Sequence, residues 1–278
     1  MTLLLDIDDG GFAGCFGRRP YAVRHRLAGH PLLTVEAIAR LAERLPHDRI
    51  EHNLGDLPLV LGRSDAPRAS LPPAEIARGI ETNGCWMVLK NIEADAQYAA
   101  LLDATLDEVA SHAHGEGAMG LREGFIFLSA PGSVTPAHFD PEHNLLLQVR
   151  GEKVINVGRF ADADSEQLEL ERYYGGGGRN IEWLPTKPQA FSMKAGGGVY
   201  VPIHAPHWVT VPDNVAVSLS ITFRTRASDE AVILHTLNHG LRRLRLSPAT
   251  IGARPVSDRA KLVVGRGLRA MRRRIAGS

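Results

Sequence analysis

T-P-A-H-F-D, Thr135 to Asp140, decides how this chain is read. Apolar runs of β character flank it, G-F-I-F-L-S-A at 124–130 and N-L-L-L-Q-V-R at 144–150. Residues two apart on a strand share a face, so His138 and Asp140 can both enter one cavity while Phe139 turns away. A second histidine stands in P-I-H-A-P-H-W-V, residues 202–209, after the short apolar strand Val199 to Val201. Pro202 ends that strand, and His207 opens the next β segment, W-V-T-V. Two imidazoles and one carboxylate, delivered by two remote segments, cover one face of an octahedral ion and leave the other open. That is the ligand set of non-haem Fe(II) sites, and His138, Asp140 and His207 are the expected ligands. An isolated H-x-D is as consistent with a surface turn; the second histidine and the spacing of nearby glycines favour the metal.

From Gly124 to Arg224 the sequence alternates short β segments with glycine and proline. Helical patterns lie on either side. Thr34 reads as an N-cap, with Val35, Ile38, Ala39, Ala42 and Leu45 on one face before Pro46. Ala74 to Ile80 reads as a short helix, Cys85 to Ile92 as a strand, and Ala94 to His112 as a helix carrying Leu101, Leu102, Leu106 and Val109 inward. Residues 1–33 are Gly- and Arg-rich with little periodicity and read as a surface wrap; 61–73, with three prolines, reads as a loop. The stretch from Ala161 to Pro188, with Gly175 to Gly178 after Tyr173 and Tyr174, reads as a flexible loop at the mouth of the β core. Tyr173, Tyr174, Trp183 and Trp208 are candidate lining aromatics there, with core packing as the alternative. Beyond Arg224, Ile233, Leu237, Leu241 and Leu244 mark one helix, and Val264, Leu268, Met271 and Ile275 a second. The expected organisation is an α/β segment over 1–120, a catalytic β core over 121–226 and a basic helical module over 227–278.

Composition is that of an ordinary globular protein: 278 residues, 44% hydrophobic, 23% charged and a net charge of +1. Charge is unevenly spread. Ser228 to the end holds ten Arg, one Lys and three acids, a balance of +8 that leaves the rest at −7. A basic appendage of this kind suits nucleic acid, but apolar stripes beside the arginines fit a homodimer module better. Cys15 and Cys85 are far apart, which argues against a disulfide framework or a Cys metal site. The start lacks a positive n-region and no run approaches a membrane span, so a cytoplasmic setting without membrane contact is expected.

Two glycine-anchored spacings resemble a family. Gly132, His138, Asp140, Asn144 and Gly151 follow the first cupin motif, with Asp for its second His and Asn for its Glu. Gly196, Pro202, His204 and His207 follow the second, with His204 where that motif prefers Gly. The chain resembles the cupin-like, JmjC-type Fe(II)- and 2-oxoglutarate-dependent oxygenases, related to the asparaginyl hydroxylase of hypoxia-inducible factor, chiefly over residues 120–226. The resemblance implies a mainly β fold, a double-stranded β-helix (jelly roll) flanked by helices, with Fe(II), 2-oxoglutarate as co-substrate and O2. Lys153 stands where that group has a lysine pairing with the distal carboxylate of 2-oxoglutarate, and Thr135 and Asn144 match its other co-substrate contacts. A dianion inside a barrel does require a fixed cation. The turn Ala195-Gly196-Gly197-Gly198 lacks the acid usual before the third ligand's strand, which puts its hydrogen bonding in doubt. His143 and His204 are extra imidazoles read as loop histidines. Hydroxylation of a peptide, protein or amino-acid side chain is the expected outcome, with N-demethylation using the same first step. The competing readings are a ligand-sensing transcriptional regulator with a DNA-contacting tail, and a metal cupin isomerase or lyase in which Lys153 is idle.

Overall fold

In a computed structural model of the chain, residues 3–61, 70–113 and 119–276 are described; most of the expected proline-rich loop, residues 62–69, lies outside them. Two compact units emerge, Met1–Arg159 with Asn180–Arg224, and Phe160–Arg179 with Thr225–Ser278.

The first unit is built on two antiparallel sheets. In chain order its elements are β1 (Leu5–Asp6), α1 (Asp9–Cys15), β2 (Tyr21–His25), α2 (Val35–Arg44), β3 (Ile50–Leu54), α3 (Pro73–Arg78), β4 (Cys85–Lys90) and α4 (Ala96–His112). There follow β5 (Gly120–Ser129), β6 (Val134–His138), β7 (His143–Arg150), β8 (Glu152–Arg159), β9 (Thr186–Lys194), β10 (Gly197–Val201), β11 (His207–Thr210) and β12 (Ala216–Arg224). The large sheet runs β1-β2-β10-β7-β12-β5-β4-β3 and the small one β6-β11-β8-β9. This is a mainly β architecture with added helices.

Both faces of the large sheet are buried, so its central strands lack the half-polar alternation of a solvated sheet. On β7, Leu145, Leu147 and Val149 join a core with helix residues Phe12, Ile38, Leu41, Ile76, Leu106 and Val109. Their neighbour Leu146 points the other way, into a second core with Val199 and Val201 of β10 and with Ile155, Val157, Met193 and Val209 of the small sheet. The two sheets therefore face each other across an interior that is apolar toward one end. Gly151, in the β7–β8 turn, has φ +70°, and a Cβ there would lie 2.0 Å from the Val215 carbonyl oxygen. Only glycine fits, which accounts for one anchor of the first motif.

Residues 3–33 do not wrap the surface. Phe12, Leu27 and Leu33 are buried in the main core, and β2 pairs with β10 from Tyr21↔Tyr200 to Arg24↔Gly197. A two-residue β1, a seven-residue α1 and a five-residue β2 are each too short for a periodicity to declare itself. Thr34 caps α2 as expected, accepting from the Ala37 amide, whereas α4 begins two residues after the expected Ala94, capped by Asp95, which accepts from the Gln97 amide.

The second unit is helical: α5 (Ala163–Tyr174), α6 (Arg226–Arg243) and α7 (Pro255–Ala276). The expected loop at 161–188 thus contains a twelve-residue helix. Asp162 caps it through the Ser165 amide, and Glu, Gln, Leu and Arg propagate it; the glycine run only terminates it. Glu171 is buried and bound by Gln167 Nε2 at 2.7 Å and by Arg242 of α6. Tyr174, half-buried, stacks on His235 of α6 at 5.7 Å between ring centroids. α7 meets α6 at Gly265, where a Cβ would come within 2.2 Å of Ile233. The stripe Val264, Leu268 and Met271 is exposed on α7 rather than packed on α6. No helix among the described residues is long and apolar enough to cross a membrane.

Candidate metal centre

His138 closes β6 and His207 opens β11, and the two are direct cross-strand partners. Their rings therefore share a face, with centroids 4.3 Å apart. Asp140 sits just past the end of β6. Its Oδ1 lies 3.9 Å from His138 Nε2 and its Oδ2 lies 3.7 Å from His207 Nε2. Candidate ligand atoms of all three lie within 4.8 Å of one another. Each histidine has its Nδ1 against a backbone carbonyl two residues earlier, Pro136 O at 2.7 Å for His138 and Ala205 O at 2.8 Å for His207. A carbonyl only accepts, so each Nδ1 carries a proton, and Nε2 is the ring nitrogen each histidine turns toward Asp140. Such outer bonds fix the tautomer a metal requires. The donor set fits a divalent ion with room for further ligands.

Thr135 is three residues before His138, which on a regular strand would put it on the opposite face. The ladder is irregular here. His207 pairs with His138, but Val209, two residues on, pairs with Thr135. The extra residue is a bulge in β6, at Pro136–Ala137, that returns Thr135 to the inward face beside Val209.

Lys153 lies on β8 in the alternation Lys153, Ile155, Val157, all buried. Val157 and Ile155 pair with His207 and Val209, so the histidine pair, Thr135 and Lys153 occupy successive inward rungs of the small sheet. Four residues of strand, about 13 Å, separate the Lys153 and Val157 positions. Lys153 is 4% exposed. Its Nζ lies 5.5 Å from the Phe127 ring centroid, and no carboxylate pairs with it among the described residues. Burial alone pushes its pKa down from 10.5 to about 7.

Asn144, on β7, faces the same interior. Its Nδ2 donates to Asp140 Oδ2 at 3.4 Å, and its Oδ1 accepts from Ser220 Oγ of β12 at 2.8 Å. The structure thus brings all six expected site residues, His138, Asp140, His207, Thr135, Lys153 and Asn144, to one interior. Ser220 was not foreseen. Its signal is the alternation Ser218, Ser220, Thr222 on a strand whose other face, Leu219 and Ile221, is apolar.

His143 is no loop residue. It begins β7 and points away from His138 and His207, its Nδ1 2.9 Å from the Tyr200 hydroxyl and its ring stacked on Phe16 and Phe223. Burial pushes its pKa down to about 4. His204 is a loop histidine, at φ 64°, and its backbone N–H donates to the Asp140 carbonyl at 2.9 Å. A glycine is favoured at that position for conformational reasons. Trp208 lies between two inward residues of β11 and so faces outward. The acid-free turn before β10 is held by backbone: Gly196, at φ +90°, donates to Gln148 O at 2.9 Å and accepts from the His25 amide at 2.9 Å.

No protein-family model matches the chain. A Drosophila melanogaster protein described as Jumonji C domain-containing protein 5 is 30% identical over 108 residues, which cover 35% of this chain and 26% of that protein. Two solved structures of YcfD from Escherichia coli are similar throughout. One has a TM-score of 0.56 at 14% identity, covering 96% of this chain and 68% of that one. The other, described as a ribosomal oxygenase in complex with cobalt and 2-oxoglutarate, has a TM-score of 0.51 at 15% identity, covering 95% and 67%. In fold the chain is similar to YcfD over nearly its whole length, and about a third of it is similar in sequence to a Jumonji C domain-containing protein.

Proposed function

We propose that the protein is an Fe(II)- and 2-oxoglutarate-dependent dioxygenase of the JmjC type, built on a jelly roll, that hydroxylates a side chain of a protein, peptide or amino acid. The observation that carries this reading is Lys153, a buried cation without a carboxylate partner among the described residues, two rungs from the histidine pair. A metal site alone serves many reactions. A metal site sharing its interior with an uncompensated ammonium is suited to a dianionic co-substrate, since a buried unpaired charge is costly until paired. A metal isomerase or lyase gives that lysine no task.

In this reading His138, Asp140 and His207 would hold the ion. Lys153 takes the far carboxylate of 2-oxoglutarate, and Thr135 and Asn144 add hydrogen bonds. When bound, Fe(II) with 2-oxoglutarate and O2 supplies the oxidation of a substrate C–H bond. The chain contributes position and dryness: Val199, Val201, Val209, Ile155 and Met193 keep water from the interior. A protein substrate agrees with the ribosomal oxygenase YcfD, which has this fold. Val256, Val263, Val264, Leu268 and Met271, exposed along α7, support a homodimer through the C-terminal helices in a cytoplasmic protein.

The test is O2-dependent release of succinate from 2-oxoglutarate by protein loaded with Fe(II), with peptides and free amino acids screened for a 16-Da gain. Protein that binds Fe(II) but neither binds nor consumes 2-oxoglutarate refutes the proposal.

A further inference from the structure

We infer that Ser220 is a positioning residue for the metal: its hydroxyl sets which way the Asn144 carboxamide faces, and the carboxamide in turn holds the Asp140 carboxylate. The inference rests on the metal-site reading above but reaches a residue two hydrogen bonds removed from the proposed ligand Asp140.

The argument is one of donors and acceptors. Asn144 presents both an oxygen and an NH2 group, and a carboxamide can rotate to exchange them. Its two neighbours are Asp140 Oδ2 at 3.4 Å and Ser220 Oγ at 2.8 Å. An ionised carboxylate only accepts, so the NH2 must face Asp140; the reversed amide would set oxygen against oxygen. That leaves the carboxamide oxygen facing Ser220, whose hydroxyl donates to it. Ser220 is 2% exposed, so water cannot readily replace the hydroxyl. Without it the carboxamide oxygen is buried and unpaired, and the amide loses its reason to keep one orientation. The three groups come from the end of β6, from β7 and from β12. Ser220 and Leu146 are paired across the β7–β12 ladder, one rung from the Thr222↔Asn144 pair, so the chain of bonds is braced by the large sheet while both histidines belong to the small one. Asp140 is thereby the ligand through which the large sheet helps to define the site.

A close internal control exists. Ser218 lies two residues away on the same face of β12, is fully buried, and makes the same kind of bond, donating to Gln148 Oε1 at 2.7 Å. Gln148 does not contact a proposed ligand. A generic packing role for buried serines predicts equal effects at both positions.

The experiment titrates Co(II) alone into wild type, Ser220→Ala, Ser220→Thr, Ser218→Ala, Asn144→Ala and Ser220→Ala/Asn144→Ala, reading the affinity and the visible d–d absorption. The expected result is a 10- to 100-fold weaker affinity for Ser220→Ala, the range for loss of an outer-shell bond, with an altered visible spectrum. Ser218→Ala stays within about twofold and Ser220→Thr recovers most of the loss. The double variant is no weaker than Asn144→Ala, because the hydroxyl acts through the carboxamide. Wild-type affinity in Ser220→Ala, equal losses in Ser220→Ala and Ser218→Ala, or additive losses in the double variant each overturn the inference. Should Ser220→Ala fail to fold, Ser220→Thr with Co(II) binding as weak as that of Asn144→Ala overturns it as well. Failure of wild type to bind Co(II) defeats the metal-site reading itself and is a separate outcome.

Discussion

Replacing Lys153 by methionine should move two properties in opposite directions. Methionine matches the length of the lysine stem and removes only the charge. In the free protein that charge is a burden. A fall in pKa from 10.5 to about 7 corresponds to about 5 kcal/mol of disfavoured charging, a ceiling that local relaxation lowers. The unfolded chain keeps this proton up to pH 10.5, whereas the folded chain releases it near 7. The unfolded state thus holds more protons between those values, and wild-type stability from this group rises with pH across that window. The gain from Lys153→Met is accordingly largest at pH 7 and below and fades toward pH 10, read as a rise of several degrees in the unfolding temperature at pH 6.5. Binding moves the other way. Loss of the ammonium should weaken 2-oxoglutarate by about 3–5 kcal/mol, at least 100-fold in Kd, by calorimetry in the presence of Mn(II). In wild type, binding above pH 7 must take up a proton, so Kd should rise up to tenfold per pH unit there, a slope the variant lacks. An unchanged Kd in Lys153→Met, or a variant less stable than wild type at pH 6.5, refutes the assignment of Lys153 as an unpaired cation awaiting an anion.

His138→Ala and Asp140→Ala should each lose at least 100-fold in Co(II) affinity by titration, beyond the 10- to 100-fold expected from an outer-shell change. Gly151→Ala should destabilise by about 3 kcal/mol or more in denaturant melts, because its φ of +70° and the Val215 carbonyl oxygen 2.0 Å from the new Cβ leave nowhere to go. His143→Phe should leave Co(II) affinity unchanged, since the ring faces the helix-side core. It should also flatten the acid limb of stability: the unfolded histidine protonates below pH 6.5 and the folded one only near 4, so wild type loses up to about 3 kcal/mol as pH falls through that interval.

The central β region and the longer helices were legible because each carries its own signal. α2 has a capping residue, α2 and α4 each have a repeated apolar face, and the strands between Gly124 and Arg224 are bounded by glycines and prolines. What could not be read is the part whose order comes from partners. β2 is a strand because β10 offers an edge to pair with, β1 because β2 does in turn, and Phe12 is buried because Tyr21 and Tyr200 close around it at 5.6 and 5.3 Å between ring centroids. α5 is masked in the sequence by the glycines that follow it, which signal flexibility although Asp162 and the residues after it form a capped helix. His143 reads in isolation like its neighbour His138, and only the β7 ladder reveals that alternate residues of that strand serve different cores.

The candidate ligands were legible for a stricter reason. A metal constrains residue types as well as positions, and His138 with Asp140 obeys the two-residue period while His207 lies at a strand start where it can face them. Thr135 marks the limit of that logic. A period of two places it outside, and the three-residue spacing of T-x-x-H gains physical sense only from the bulge at Pro136–Ala137. There Thr135 is carried back to the side of Val209, one rung below the histidine pair. Proline suits the position because it has no N–H to contribute to a ladder. The neighbouring amide, Ala137 N–H, turns instead to Leu59 O at 2.8 Å, and Ala137 O accepts from Ile181 N at 3.1 Å. The bulge thus takes β6 out of step with β11 and couples it to two segments remote in sequence. A motif spacing that looks arbitrary along the chain is the count of residues needed to turn both Thr135 and His138 inward while their strand is tied down along its outer edge.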